Sequence, residues 1–429
     1  MNETLISWDT RLPLACGLVL KNRFCKAAMT EGLATARGYP SASLRHLYSL
    51  WAQGGAALLV SGNIMVDRRY LERAGNVVVE DERHLRALGD WAQAVHAHGS
   101  QLWGQISHPG RQCPRSVTLT PLAPSEVQLH VAANFGKPRV MQQADIEDVI
   151  GRFAQTARVL QQAGFDGVQV HAAHGYLLSQ FLSKRTNLRD DQWGGDLAGR
   201  ARLLLEVIRA IRLTVGGNFG VSVKINSSDF VQGGFTLDEC DQVVQWLGQE
   251  GVDLLELSGG TYEQVEFFRA MEPTQMREST RVREAMFLEH ARVIRAKARM
   301  PLMVTGGFRT RGGMLSALAQ GETDMLGLAR PFCLDPDLPR RLMSGELQAL
   351  PMPEAGLVLG AGRRGPNSSS AHWRGLNNQA HAAWYYCQIE RLAAGMSPLR
   401  LLSPWRALIT HFGKDFGRAI RRKLTFSAG

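Results

Sequence analysis

Short apolar runs alternate along this chain with longer segments whose apolar positions recur every three or four residues. After a hairpin-like opening over Leu12–Leu20, the first run is Phe24–Met29. Leu44, Leu47, Tyr48 and Trp51 follow at helical spacing. Gly54-Gly55 stops that helix, and Ala56–Val60 begins the next run. The cycle then repeats. A helix is expected over 81–98, with Leu85, Leu88, Trp91 and Val95 on one face and Gly99 as its stop, before the strand Gln101–Ile106. A long polar loop runs to about Val140. Asp145 opens a helix marked by Ile146, Val149, Phe153, Ala157 and Leu160, which leads to the strand Gly167–Val170.

The second half keeps the pattern. A helix over Ala198–Arg212 precedes the strand Gly220–Ile225. Thr236 and Glu239 form a capping-box signature for a helix reaching Glu250, ahead of the strand Asp253–Leu257. Helices over Arg283–Ala298 and Gly313–Gln320 precede the strands Pro301–Thr305 and Asp324–Leu328. Eight strand-then-helix units result, and their strands are continuously apolar, as parallel strands buried on both faces must be. An open doubly wound sheet competes, but this unit count suits a closed barrel. The fold class expected is therefore α/β, a (β/α)8 TIM barrel with an N-terminal hairpin over residues 1–350. A C-terminal linker and a helical, basic extension occupy 351–429.

In such a barrel the chemistry sits at the C-terminal ends of the strands. The candidates by position are Met29/Thr30, Ser61/Gly62, Gln105/His108, His171/His174/Tyr176, Lys224, Ser258/Gly259/Gly260, Gly306/Gly307 and Ala329/Arg330. The glycines after the seventh strand read alone as tight-turn residues, but together with an arginine after the eighth they suit a phosphate, because small residues let backbone N–H groups approach an anion. Lys224 is either a solvated lysine or one that faces the mouth and stabilises negative charge there, and the amide of Gln105 is placed to read a heterocycle edge. His171, His174 and Tyr176 allow three readings. They are zinc ligation, a satisfied structural pair, or two imidazole donors on a substrate oxygen with a phenol as proton donor.

Composition narrows the field. The formal net charge is +10, but the basic residues are dispersed except at the C-terminal end, so nucleic-acid binding is not expected. The six cysteines include no CxxC pair, which points away from an iron–sulfur site and toward a reduced, cytoplasmic setting. No signal peptide or membrane-length apolar run is recognised.

The motifs themselves carry a resemblance. His171-Ala-Ala-His174-Gly-Tyr176-Leu-Leu-Ser-Gln-Phe-Leu-Ser, Asn187 through Gly195 with Arg200-Ala-Arg202, Gln105 through Gln112, Lys224-Ile-Asn226-Ser-Ser-Asp229-Phe and Val304-Thr-Gly306-Gly307-Phe308 resemble, in order and spacing, the old yellow enzyme family of FMN-dependent NADH:flavin oxidoreductases and ene-reductases. The resemblance spans roughly residues 10–345. It implies FMN at the barrel mouth. Ala27, Ala28, Met29 and Thr30 would line the flavin, and Gly62 would pack on the ring. Gln105 would take the pyrimidine edge, and Lys224 would sit beside the ring where relatives often carry Arg. Gly306, Gly307, Ala329 and Arg330 would seat the phosphate. His171 and His174 would hold the oxygen of an electron-poor alkene and Tyr176 would be the acid, with NADH or NADPH as reductant in ping-pong order. No metal is implied. A flavin dehydrogenase or demethylase working oxidatively on a small amine or carbonyl compound is the alternative. Oligomeric state is left open.

Beyond residue 350 a helix is expected within His372–Met396. Trp405–Lys423 reads as an amphipathic basic helix, either a solvated helix or frayed tail, or a segment in contact with an anionic membrane surface or an acidic partner.

Overall fold

The computed structural model describes residues 7–130, 134–258 and 288–427. Its centre is a closed barrel of eight parallel strands: β1 (Phe24–Lys26), β2 (Leu58–Val60), β3 (Gln101–Ser107), β4 (Gly167–Ala172), β5 (Gly220–Asn226), β6 (Leu254–Ser258), β7 (Leu302–Thr305) and β8 (Met325–Leu328). Each pairs with its neighbour in the sequence, β8 pairs with β1, and no open edge is left between them. The short antiparallel pair Leu12–Pro13 and Val19–Leu20 is the expected N-terminal hairpin.

The helices follow from local chemistry. Ser41 caps α1 (Ala42–Gln53), and Leu44, Leu47, Tyr48 and Trp51 are its buried stripe. The segment expected as one helix over 81–98 starts instead as a 3-10 turn, Glu82–His84, capped by Asp81. It continues as α2 (Leu85–His96). Next come α3 (Gln143–Gln162), α4 (Leu177–Leu182), α5 (Leu197–Val215) and α6 (Leu237–Gln249). The Thr236/Glu239 capping box is formed at the start of α6. Residues 288–295 are helical, while the beginning of the expected Arg283–Ala298 helix, like Gly259 and Gly260, lies outside the described residues. α7 (Arg311–Ala319) and α8 (Leu338–Ser344) complete the shell.

Two packing layers hold the barrel. Leu59, Ile106, Val168, Val170, Val221, Val223, Leu255 and Leu257 face outward into the helical shell. Inside, Cys25, Leu58, Val60, Trp103, Leu254, Met303 and Met325 fill the lower half. Trp103 fits only because two neighbours lack side chains. A Cβ on Gly167 would come within 2.7 Å of its indole, and one on Gly220 within 2.3 Å.

The C-terminal extension is packed, not splayed. α9 (Ala371–Ala393) buries Trp384, whose Nε1 donates to Leu402 O at 3.0 Å. The stretch 351–367, expected as a linker or surface arm, buries Leu357 and Leu359, and Leu359 N donates to Asn377 Oδ1 at 2.9 Å. α10 (Pro404–Ser427) then lies along α9 and one side of the barrel.

Candidate active site

Strand register decides which polar groups meet. Gln105 on β3 is level with Gln169 on β4. His171 on β4 is level with Lys224 on β5, and Lys224 with Glu256 on β6. Residues level on parallel strands share a face, so these five form a polar layer above the apolar floor. Four of them, all but His171, are joined to one another by hydrogen bonds and an ion pair. Gln105 Nε2 donates to Gln169 Oε1 at 2.8 Å, and Gln169 Nε2 donates to Glu256 Oε2 at 2.8 Å. Lys224 Nζ is 2.8 Å from Glu256 Oε1. Lys224 is not a solvated surface lysine: it is 4% exposed and Glu256 is fully buried.

The turn after β4 places the histidines. His174 adopts a left-handed backbone, φ 59°, which turns the chain back over the mouth. Its N–H donates to Asn226 Oδ1 at 3.2 Å, its carbonyl accepts from Gln112 Nε2 at 3.0 Å, and its Nε2 lies 2.8 Å from Ser258 Oγ. The His171 ring stands edge-on to His174 at 5.1 Å and to Tyr176 at 4.7 Å, centroid to centroid. The three rings are therefore one cluster. Tyr176 is 4% exposed and immediately precedes α4, which fixes its backbone.

Electrostatics set the protonation states. Burial, then the neighbouring His174 and Lys224, hold the His171 imidazole well below its usual pKa. Burial and Lys224 push His174 down to about 3. Both rings are neutral at ordinary pH. His171 Nδ1 accepts from Ala173 N at 3.2 Å, so in the neutral ring the proton is on Nε2, which is a donor.

The loops around the mouth are braced from behind. Lys26, fully buried at the end of β1, donates to Tyr48 Oη and Val60 O, each at 2.9 Å, and lies 3.6 Å from Glu31 Oε1. Tyr48 Oη donates to Glu31, and Gly62 N donates to Glu31 Oε1 at 3.0 Å. This bracing explains why β1 ends at Lys26 and not at Met29, as the apolar run suggested. Ala27–Thr30 leave the barrel wall to wrap its mouth. Gly62 sits where a Cβ would come within 2.2 Å of Met29 O, so its smallness lets these two loops touch. Thr30 Oγ1 donates to Glu72 Oε2 at 2.8 Å.

At the far side, Gly306 and Gly307 both have positive φ, 109° and 82°, and a Cβ on Gly306 would meet nothing within 4 Å. The backbone there is open for an anion. Beside it Thr305 Oγ1 is buried without a hydrogen-bond partner. Arg330, after Ala329, is half-exposed and lies 3.3 Å from Glu354, which is also 3.9 Å from Arg309. The cradle, its unpartnered hydroxyl and the arginines suit a phosphate.

The family described as NADH:flavin oxidoreductase / NADH oxidase matches residues 13–348. The chain belongs to this family. Like its relatives, it is an FMN-dependent oxidoreductase that uses a nicotinamide reductant. It is 37% identical over 352 residues to the NADH-dependent flavin oxidoreductase iliE of Hypocrea jecorina, an alignment covering 77% of this chain and 88% of that one. Among solved structures it is similar to a 2-naphthoyl-CoA reductase in complex with 2-naphthoyl-CoA, at 26% identity and TM-score 0.72. That match covers 80% of this chain but 53% of the longer relative. An old yellow enzyme homologue from Zymomonas mobilis shares the fold, at 24% identity and TM-score 0.68 over 81% of this chain and 95% of that one.

Of the residues expected at the mouth, the structure brings His171, His174 and Tyr176 into one cluster and joins Gln105 and Lys224 to the same polar layer. Sequence reasoning missed Gln169 and Glu256, which link Gln105 to Lys224, and it missed the Lys26–Glu31–Tyr48 brace. The available signal was a charged or amide residue inside an otherwise apolar strand, as in Leu254-Leu255-Glu256-Leu257.

Proposed function

We propose that this FMN-dependent oxidoreductase reduces the activated C=C bond of an enone, enal or nitroalkene-type acceptor. FMN, when bound, supplies the two-electron relay between the nicotinamide and the acceptor. Ala27, Ala28, Met29, Thr30 and Gly62 would line it, and Gln105 and Lys224 would meet its polar edge. Gly306, Gly307, Ala329 and Arg330 would seat its phosphate. Thr30 already donates to Glu72, so its hydroxyl would have to turn before donating to the flavin.

The observation that carries the reading is the neutral His171/His174 pair clustered with Tyr176 beside a buried Lys224. His171 offers Nε2–H to a carbonyl or nitro oxygen. His174, with Nε2 held by Ser258, has Nδ1 left for the same oxygen, and it is a donor when the Ser258 hydroxyl gives its proton to Nε2. Donors fixed in a dry site stabilise charge developing on that oxygen, and losing one typically costs about 3 kcal/mol of transition-state stabilisation. Lys224 adds a positive charge nearby. Tyr176 gives a proton to the α-carbon. With Trp103 and its neighbours filling the lower half of the barrel, donor and acceptor would share the upper mouth in alternation, in ping-pong order.

The test is turnover with a panel of enones, enals and nitroalkenes, alongside small amines in the oxidative direction. NADH-dependent loss of the alkene chromophore is expected. Oxidation of amines with no alkene reduction would replace this reading by the dehydrogenase one.

A further inference from the structure

The family match ends at residue 348, yet the chain continues into a helix that leaves much of its own apolar surface uncovered. On α10, Ile409, Phe412, Phe416, Ile420 and Leu424 are between 42% and 70% exposed, and Trp405, 41% exposed, heads the stripe while its Nε1 donates to Leu359 O at 2.9 Å. Their spacing places them on one face, a continuous stripe along the whole helix. Leu401, 96% exposed, extends it toward the N-terminal end. Scattered exposed apolar residues need no explanation, but an aligned stripe of six does.

The helix cannot roll to hide this stripe, because its other face is anchored. Ala407 and Leu408 are buried. Asp415 pairs with Arg73 of the barrel at 2.6 Å, and Arg422 Nη2 donates to Arg68 O at 3.1 Å. Lys414 and Arg418 pair with Glu390 of α9, each at 2.6 Å. Tyr386 of α9 stacks on His411 at 4.7 Å. Asp415, the helix's one acidic residue, is thereby turned to the barrel. Arg406 and Arg421 are exposed, and no acidic residue of the helix accompanies them outward.

We propose that α10 seats the protein on an anionic membrane surface. The helix would lie in the interface with its aromatic and aliphatic stripe in the acyl boundary and its arginines on acidic headgroups. Among the described residues no helix is long and apolar enough to cross a membrane, so this is lying on, not spanning. A second copy of the chain fits the face less well. Pairing two such helices would bring basic residues together with no acid between them. The location also matters. Arg73, which holds Asp415, follows Glu72, which takes the Thr30 hydroxyl at the mouth. Docking would bring the site's rim close to the bilayer.

The test is co-sedimentation of the full-length, FMN-loaded protein with vesicles of phosphatidylcholine alone or mixed with phosphatidylglycerol. Binding is expected to the anionic mixture and to fall as salt rises. The double variant Arg406→Gln/Arg421→Gln should partition about thirtyfold less, roughly fivefold for each charge lost. Phe412→Ser/Phe416→Ser should lose binding while keeping its flavin spectrum and its reduction by NADH. No sedimentation with either vesicle, or equal sedimentation of all variants, overturns the proposal. So does a dimer in light scattering that the Phe variant dissolves while neither form binds vesicles, which would assign the face to a second copy.

Discussion

The Lys224 ammonium lies 2.8 Å from the Glu256 carboxylate inside the barrel, where Lys224 is nearly and Glu256 wholly buried. Removing one partner leaves the other charge buried and uncompensated. Glu256→Gln is therefore expected to lower the unfolding free energy by about 3 kcal/mol. Lys224→Met added to it should restore part of that loss, and a double-mutant cycle in urea measures the coupling. Because Glu256 offsets Lys224, Glu256→Gln should also raise the midpoint potential of the bound flavin by a few tens of millivolts, where 30 mV is about 1.4 kcal/mol for a two-electron couple. An unchanged potential would separate Lys224 from the flavin.

Tyr176→Phe keeps the ring against His171 and removes the hydroxyl that carries the proton. Rapid mixing of the two half-reactions should show flavin reduction by NADH little changed and alkene reduction at least about a hundredfold slower. His171→Ala should slow the acceptor half by about 100- to 1,000-fold. Ser258→Ala, which removes the hydroxyl partner of His174 Nε2, should have a smaller effect, mainly on acceptor KM. Equal loss in both halves for Tyr176→Phe would remove the phenol from its role as acid.

This cluster shows what the sequence could tell. His171, His174 and Tyr176 lie within six residues of one another, and a strand end followed by such a cluster is visible in one dimension. The eight-unit alternation was equally visible, since it needs only periodicity. Glu256 and Gln169 were not, because their role exists only through register between strands 87 residues apart in one bond and 64 in another. The packing of 351–367 was hidden for a related reason. Gly, Pro and Arg composition suggests a linker, and only contact with Asn377 and Trp405 shows otherwise.

Lys26 is the buried charge farthest from any expectation. Lys26→Met leaves Glu31 without its ammonium, while Glu31 still accepts from Gly62 and Tyr48. A loss of about 3–5 kcal/mol is expected, with weaker retention of FMN as the Thr30 and Gly62 loops loosen. Thermal unfolding and flavin release on dialysis measure the two effects. Tyr48→Phe should be milder in both.

Stability should fall on the acid side. Burial holds His108 at about 4 and His174 at about 3, against an ordinary value of 6.5. For His108 the neighbouring Asp67 works upward and Arg69 downward; for His174 Lys224 also works downward. A histidine with a depressed folded pKa binds its proton more readily when unfolded, so stability is lost as pH drops below about 6.5. Each contributes about 2 kcal/mol of loss between pH 7 and 5. Urea midpoints at the two pH values, in wild type and His108→Gln, check the sign and size.

Trp103, wedged against Gly167 and Gly220, has a wider meaning than packing. Among the described residues, a cylinder stoppered at its floor is left to work from its other end. Under the proposed alternating occupancy, nicotinamide, acceptor and dissolved oxygen would all queue there, and a guest that lingers would shut out the next. How long each reaction cycle stays exposed to futile loss of electrons to air would then depend on how fast the spent nicotinamide vacates the entrance. A barrel whose floor was opened would lose that discipline before it lost its chemistry.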